Sequence, residues 1–231
     1  MALKPSLTKT MSLSNDTKII KINQDIFYLP STMKPFSCDI VFIKDKKNDC
    51  TWIFDVGFGS ASADVINLWP SACLEEEQWP SQKNIVISHF HPDHIANLPM
   101  VKFDNLYVSA YTKKYTLKGS VISAPQDFGS LQILPMPSSH AKGCLALIFG
   151  DYAFLGDGAF CKYKGSHHIY NQQLLKEMIA FLEALPCKYF ALDHEQNFIQ
   201  NRQSVIAIYK DIYSRRKSDE PFINVDDYFI S

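Results

Sequence analysis

Short apolar runs dominate the first third of the chain. Lys18–Ile22, Ile26–Leu29, Asp39–Lys44 and Trp52–Val56 each have the length and the β-branched and aromatic content of a strand. The polar stretch Asp45-Lys46-Lys47-Asn48-Asp49 joins the last two as a hairpin connection, so this region predicts mostly antiparallel sheet. Gly57 and Gly59 then interrupt the pattern. Ser62–Trp69 places Ala63, Ile66 and either Leu68 or Trp69 toward a core, which predicts a short helix closed by Pro70. Further strands are expected at Asn84–Ser88, Leu106–Ser109 and Leu131–Leu134, and Leu145–Phe149 with Tyr152–Leu155 reads as a hairpin around Gly150-Asp151.

The helical pattern comes late. Leu174, Leu175, Met178, Phe181, Leu182 and Leu185 recur at three- and four-residue spacings, predicting an amphipathic helix over Asn171–Leu185 that Pro186 ends. A strand at Lys188–Leu192 and a helix at Ser204–Ser214 follow, the helix with Val205, Ile208, Tyr209 and Ile212 on one face. Two strand-rich blocks, each followed by helix and with no internal repeat, predict a layered α/β domain.

Composition narrows the function classes. The 231 residues are 46% hydrophobic and only 20% charged, enough for one large core over 17–231 after a polar, flexible segment 1–16. The balance of 23 Lys+Arg against 24 Asp+Glu gives no concentrated basic surface for nucleic acid, and Lys outnumbers Arg 20 to 3. No apolar run is long enough to span a membrane, and Met1–Asp16 has no secretion-type apolar stretch, so a cytoplasmic protein is expected. Cys38, Cys50, Cys73, Cys144, Cys161 and Cys187 form no C-x-x-C pair and read as reduced core thiols.

The chemistry concentrates in Ser88-His89-Phe90-His91-Pro92-Asp93-His94, directly after a predicted strand. Imidazole and carboxylate are the ligands that suit divalent zinc, iron and manganese. His89 and His91, two apart, project to one side and can share an ion, while Pro92 turns the chain to offer Asp93 and His94 to a second. Clustered imidazoles have no structural duty that explains them, since they repel on protonation and are hard to satisfy when buried. From 7 His and 17 Asp in the chain, chance would supply about 0.0005 matches to H-x-H-x-D-H, so the pattern is informative.

This motif resembles that of the metallo-β-lactamase superfamily, and the resemblance extends from about Asp25 to His194. Phe54-Asp55-Val56-Gly57-Phe58-Gly59 is similar to the family's D-x-G-x-G turn, whose aspartate supports the metal loop without being a ligand. Ser139-His140-Ala141-Lys142-Gly143-Cys144 is similar to its segment carrying a third histidine, Leu155-Gly156-Asp157 to its bridging aspartate, and Leu192-Asp193-His194 to its final histidine. The resemblance implies a four-layer αββα sandwich. It implies one ion on His89, His91 and His140, another on Asp93, His94 and His194, and Asp157 shared. Asp55 would act in support, and His167 and His168 are candidates for the substrate side, in a polar loop. Cys144 is expected to pack. The residues after His94, Ile95-Ala96-Asn97-Leu98-Pro99, depart from the Gly-Gly continuation of many family hydrolases and leave the subfamily open.

The implied activity is hydrolysis of a small carbonyl substrate, a thioester, lactone, ester or amide, by a hydroxide bridging two divalent ions, with Asp93 orienting it or taking its proton. Zinc is the expected metal, with iron or manganese as alternatives. The ligand set is glyoxalase II-like. A true β-lactamase is disfavoured because such enzymes lack the bridging aspartate. Alternatives are a phosphodiesterase on the same site, an iron-dependent persulfide dioxygenase or di-iron redox protein, and a non-catalytic metal-binding module. The expected partner is a small molecule, with neither nucleic acid nor membrane, and the oligomeric state is open.

Overall fold

In the first half of the chain, β1 (Ile20–Lys21) and β2 (Ile26–Leu29) precede a tight hairpin of β3 (Thr32–Met33) and β4 (Phe36–Ser37). Then come β5 (Ile40–Asp45), β6 (Cys50–Phe54), α1 (Ser60–Leu68), β7 (Lys83–Val86), α2 (Pro92–Ile95), β8 (Asn105–Ser109), α3 (Lys113–Thr116) and β9 (Ser120–Ile122). The computed structural model describes residues 18–69 and 79–228; the expected flexible segment 1–16, the helix-closing Pro70 and Cys73 lie outside the described residues. Seven of these strands form one sheet in the order β1-β2-β5-β6-β7-β8-β9. It is antiparallel up to β6, as expected, and parallel from β6 to β9, because each later connection crosses over before re-entering the sheet.

The second half supplies β10 (Gln126–Asp127), β11 (Leu131–Met136), β12 (Cys144–Phe149), β13 (Tyr152–Phe154), β14 (Lys162–Lys164) and β15 (His167–Asn171). It continues through α4 (Gln172–Ala184), β16 (Tyr189–Ala191), β17 (Ile199–Asn201), α5 (Arg202–Ser214) and β18 (Phe222–Asn224). A six-stranded sheet runs β10-β11-β12-β13-β16-β17, and a smaller one β14-β15-β18. Asn171 caps α4 by accepting from Leu174 N, and Asn201 caps α5 by accepting from the amides of Gln203 and Ser204, which starts α5 two residues before the expected Ser204. α4 stops where Leu185, extended ahead of Pro186, cannot continue it.

Three apolar clusters separate four layers. Val41, Ile43, Trp52, Phe54, Leu145, Leu147 and Phe154 fill the space between the two large sheets. Phe42, Ile53, Ile66 and Trp69 lie between the first sheet and α1, and Met178, Leu182, Phe190 and Tyr209 between the second sheet and α4 and α5. Alternate residues of β5 and β6 thus face two different cores, which is why every residue of both strands is buried and the runs read as continuously apolar. The αββα sandwich expected from the sequence is the observed fold.

One expectation is corrected. His167 and His168 lie in β15 rather than in a loop: β15 pairs with β18 from the far end of the chain, a partner that local pattern does not reveal. Beyond β18 the Val225 amide donates to the His168 carbonyl at 2.9 Å. Among the described residues no helix is long and apolar enough to cross a membrane.

Candidate metal centre

The ends of β7, β11, β13 and β16 meet at one edge of the sandwich, and each is followed by residues of the expected site. The H-x-H-x-D-H segment is shaped by Pro92 at the first position of α2. His91 stays extended ahead of it, and the amides of His94 and Ile95 close the turn on the His91 carbonyl at 3.0 and 3.2 Å. This turn bonds to the residues after β6, with Val56 N donating to the His94 carbonyl at 3.1 Å and Asn97 Nδ2 to the Val56 carbonyl at 2.9 Å. Gly57 has φ +68°, and a Cβ there would come within 2.5 Å of Ser37 Oγ, so both conformation and space require glycine.

His89, His91, His140 and Asp157 offer ligand atoms that all lie within 4.8 Å of one another, and so do Asp93, His94, Asp157 and His194. Asp157 belongs to both groups. Its Oδ2 stands 3.4 Å from His140 Nε2 and 3.5 Å from His94 Nε2. His91 Nδ1 and His140 Nε2 approach to 3.0 Å, and His194 Nε2 lies 3.2 Å from Asp93 Oδ2. All seven sequence-predicted ligands are therefore brought together, in the two expected sets.

Partners outside the two groups orient the rings. His140 Nδ1 donates to the Cys161 carbonyl at 3.1 Å, which leaves its Nε2 lone pair toward the cluster. Asp55 Oδ1 accepts from Ser88 N at 2.7 Å, and its Oδ2 pairs with His94 Nδ1 at 2.8 Å. Ser88 Oγ touches the rings of His89 and His94 at 3.0 and 3.2 Å. Sequence reading missed Asp39, whose two oxygens accept from the amides of Ser31 and His194, both at 3.0 Å, and so hold His194 in its left-handed conformation at φ 61°. It also missed Phe36, stacked on the His194 ring at 4.6 Å.

The charge distribution suits cations. Burial first, then the neighbouring histidines, pushes His89 well below the usual imidazole range, and burial with His140 lowers His91, so both keep a lone pair. Burial works against ionisation of Asp93, yet the contact with His194 and the nearness of His94, whose Nε2 lies 3.4 Å away, outweigh it and hold the carboxyl low. Asp157 is lowered in the same way, against burial, by His94, His140 and His194. Despite its burial His94 is raised, by Cys38, Asp55 and Asp157, so this end of the site favours positive charge. Behind it Cys38, Asp55, His94 and Asp193 form a buried set, in which burial and then Asp39 push the Asp193 carboxyl well up.

The donor set fits divalent ions on a direct test. His89 Nε2, His94 Nε2 and Asp157 Oδ1 are buried without a hydrogen-bond partner. Each such atom costs about 1–3 kcal/mol if left unsatisfied, and all three belong to the two ligand groups, where a cation would take their lone pairs.

His167 and His168 stand apart from the two groups. Both imidazoles face Asp226, at 2.6 and 3.2 Å, and the His168 amide donates to the same carboxylate at 2.7 Å. Cys144 is buried with Sγ 3.4 Å from the Ala141 carbonyl, in keeping with a packing role.

A family model described as the metallo-beta-lactamase superfamily matches residues 33–120. Among solved structures, a metallo beta lactamase from Hirschia baltica superposes with a TM-score of 0.61 at 12% identity, over 87% of this chain and 99% of that one. A metallo beta lactamase from Erythrobacter litoralis, with beta mercaptoethanol in its active site, gives 0.63 at 12% identity over 88% and 98%. A flavoprotein from Thermotoga maritima gives 0.60 at 14% identity, over 88% of this chain but only 62% of that one. No curated protein matches the sequence. The chain thus has the metallo-beta-lactamase fold, and its residues 33–120 are similar to the superfamily's model.

Proposed function

We propose that the chain is a dinuclear metallohydrolase acting on a small carbonyl substrate, a thioester, lactone, ester or amide, with the glyoxalase II-like ligand set. The observation that carries this reading is Asp157, one carboxylate within reach of both histidine groups. His89, His91 and His140 would hold one ion, Asp93, His94 and His194 the other, and Asp157 both. Two divalent ions, when bound, lower the pKa of water toward about 7 and polarise a carbonyl oxygen. Zinc is the metal proposed.

The chain's own residues do the rest. Asp93 is kept ionised by its histidine neighbours, so it can accept the proton of the attacking water and orient it. Asp55 fixes the proton of His94 on Nδ1, and the Cys161 carbonyl fixes that of His140 on Nδ1, so both present Nε2. Asp39 sets the backbone on which His194 is displayed.

A di-iron redox protein is the second reading, favoured by the likeness to the Thermotoga flavoprotein and to its relative described as a flavo di-iron protein, of which the chain covers 62% and 63%. Metal analysis separates the two: a colourless protein with two zinc ions per chain excludes the iron reading. Hydrolysis is tested with an ester and thioester panel on the metal-loaded protein. His91→Ala and Asp157→Ala should each abolish turnover while the far-ultraviolet spectrum is unchanged; full activity in either variant refutes the assignment.

A further inference from the structure

An aromatic ring touches a ligand of each of the two groups. Phe36, from β4, lies flat on the His194 ring, centroids 4.6 Å apart and planes 11° from parallel, and is 47% exposed. Phe90 meets the His91 ring edge-on at 4.8 Å and is stacked on Tyr115 at 4.5 Å and 16°. Tyr111 joins this second cluster, 5.1 Å from Phe90. Tyr115 is 50% exposed.

Neither wall is loose. Gly143, three residues after His140, lies so near Tyr111 that a Cβ there would come within 2.8 Å of the Tyr111 Cβ, which ties the aromatic cluster to the loop bearing His140. Phe36 is held by the β3–β4 pairing and by Ser37 Oγ, which accepts from Phe58 N at 2.9 Å. The charged groups that most shift Asp93 and Asp157 are histidines rather than Lys or Arg. Lys114 sits over the Tyr111 face at 5.0 Å, in a cation–π contact with the wall. The half-exposed Phe36 touches a ligand of one group, and Phe90, backed by the half-exposed Tyr115, touches a ligand of the other, so each group carries apolar surface beside the place where a carbonyl would sit.

We propose that the preferred substrate is an ester, thioester or lactone whose carbonyl lies between two apolar groups, with Phe36 packing against one and the Phe90–Tyr115 stack against the other. This rests on the carbonyl-hydrolysis reading above. The reaction is balanced by water alone: its oxygen bonds to the carbonyl carbon, the bond to the leaving oxygen or sulfur breaks, and the products are an acid and an alcohol or thiol that takes the proton. Phe36 and Tyr115 are specificity-determining residues that act on the substrate's flanks.

The test is a series of 4-nitrophenyl esters, acetate to octanoate, on the zinc-loaded protein. Each added methylene should raise kcat/KM about two- to fourfold until the walls are covered. One of Phe36→Ala and Tyr115→Ala should lower the octanoate-to-acetate ratio of kcat/KM about tenfold, and the other, facing the unvaried nitrophenyl group, should lower kcat/KM for both esters alike, while Phe36→Leu and Tyr115→Phe keep the wild-type ratio. A flat chain-length series, or a ratio unchanged in both alanine variants, overturns the proposal and leaves the hydrolase reading standing. If no ester is turned over by protein carrying two ions, the hydrolase reading fails instead. A second readout needs no metal: saturation-transfer NMR with N-octylacetamide on the metal-free chain should show contact through the octyl methylenes that Phe36→Ala/Tyr115→Ala removes. Equal transfer in wild type and double variant overturns the walls themselves.

Discussion

Replacing Asp55 by asparagine separates the support of the metal centre from its ligands. Asp55 is fully buried at φ 63°, a left-handed conformation that asparagine also tolerates, so the exchange adds little backbone strain. In the wild type one oxygen accepts from Ser88 N at 2.7 Å and the other from His94 Nδ1 at 2.8 Å. Asparagine has one oxygen for these two donors. If that oxygen keeps Ser88, the amide NH2 faces His94 Nδ1, and the imidazole must carry its proton on Nε2, where it cannot bind a metal. If the amide flips, its NH2 meets the Ser88 N–H and a buried donor is stranded, at about 1–3 kcal/mol. At about 1.4 kcal/mol per tenfold, the second ion should bind about 10- to 100-fold more weakly. Competition with a chromophoric chelator measures this, and long-range 1H–15N spectra read the His94 tautomer directly. Two ions bound with wild-type affinity, and His94 still protonated on Nδ1, would refute the reasoning.

Further consequences concern packing and thiols. Gly156→Ala, at φ +53° with a Cβ 2.7 Å from Ser88 Cβ, should displace Ser88 from the His89 and His94 rings, costing about 2 kcal/mol of stability and weakening metal binding; unchanged urea midpoint and metal affinity contradict this. Phe190→Ala opens a cavity between the second sheet and its helices and should cost about 3–5 kcal/mol in urea unfolding, while leaving metal stoichiometry intact. Burial pushes the thiols of Cys50 and Cys161 up to about 11 and that of Cys144 up to about 12, and Cys38 and Cys187 are raised too. They should therefore stay protonated and unreactive near neutral pH in the folded chain. Of the six cysteines, no more than one should react quickly with a disulfide reagent before unfolding, as counted by thiolate absorbance.

The elements legible in the sequence are those whose partners are local or whose faces are uniformly apolar. Ile26–Leu29 matches β2 residue for residue, and α4 follows its three- and four-residue spacing between Asn171 and Pro186. The candidate ligands were legible because four of the seven share one six-residue segment, and the other three fall at strand ends in a recognisable order. What escaped lies in long-range or main-chain contacts. Lys162–Lys164 has no buried position and becomes a strand only through β15, which in turn needs β18. The hairpin that carries Phe36 has two residues per strand, too few for any periodicity. Asp39 acts on a backbone amide 155 residues away, and the His140 ring is oriented by a carbonyl, which any residue at position 161 would supply. Residue type gives no hint of either.

If two ions share Asp157, a calorimetric titration of the metal-free chain with zinc, beside the same titration of Asp157→Ala, reads it out. Two ions should bind per wild-type chain, and in the variant both binding steps should weaken, since the carboxylate reaches both groups. A single ion in the wild type, or a variant in which one step is lost and the other keeps its full affinity, would contradict it.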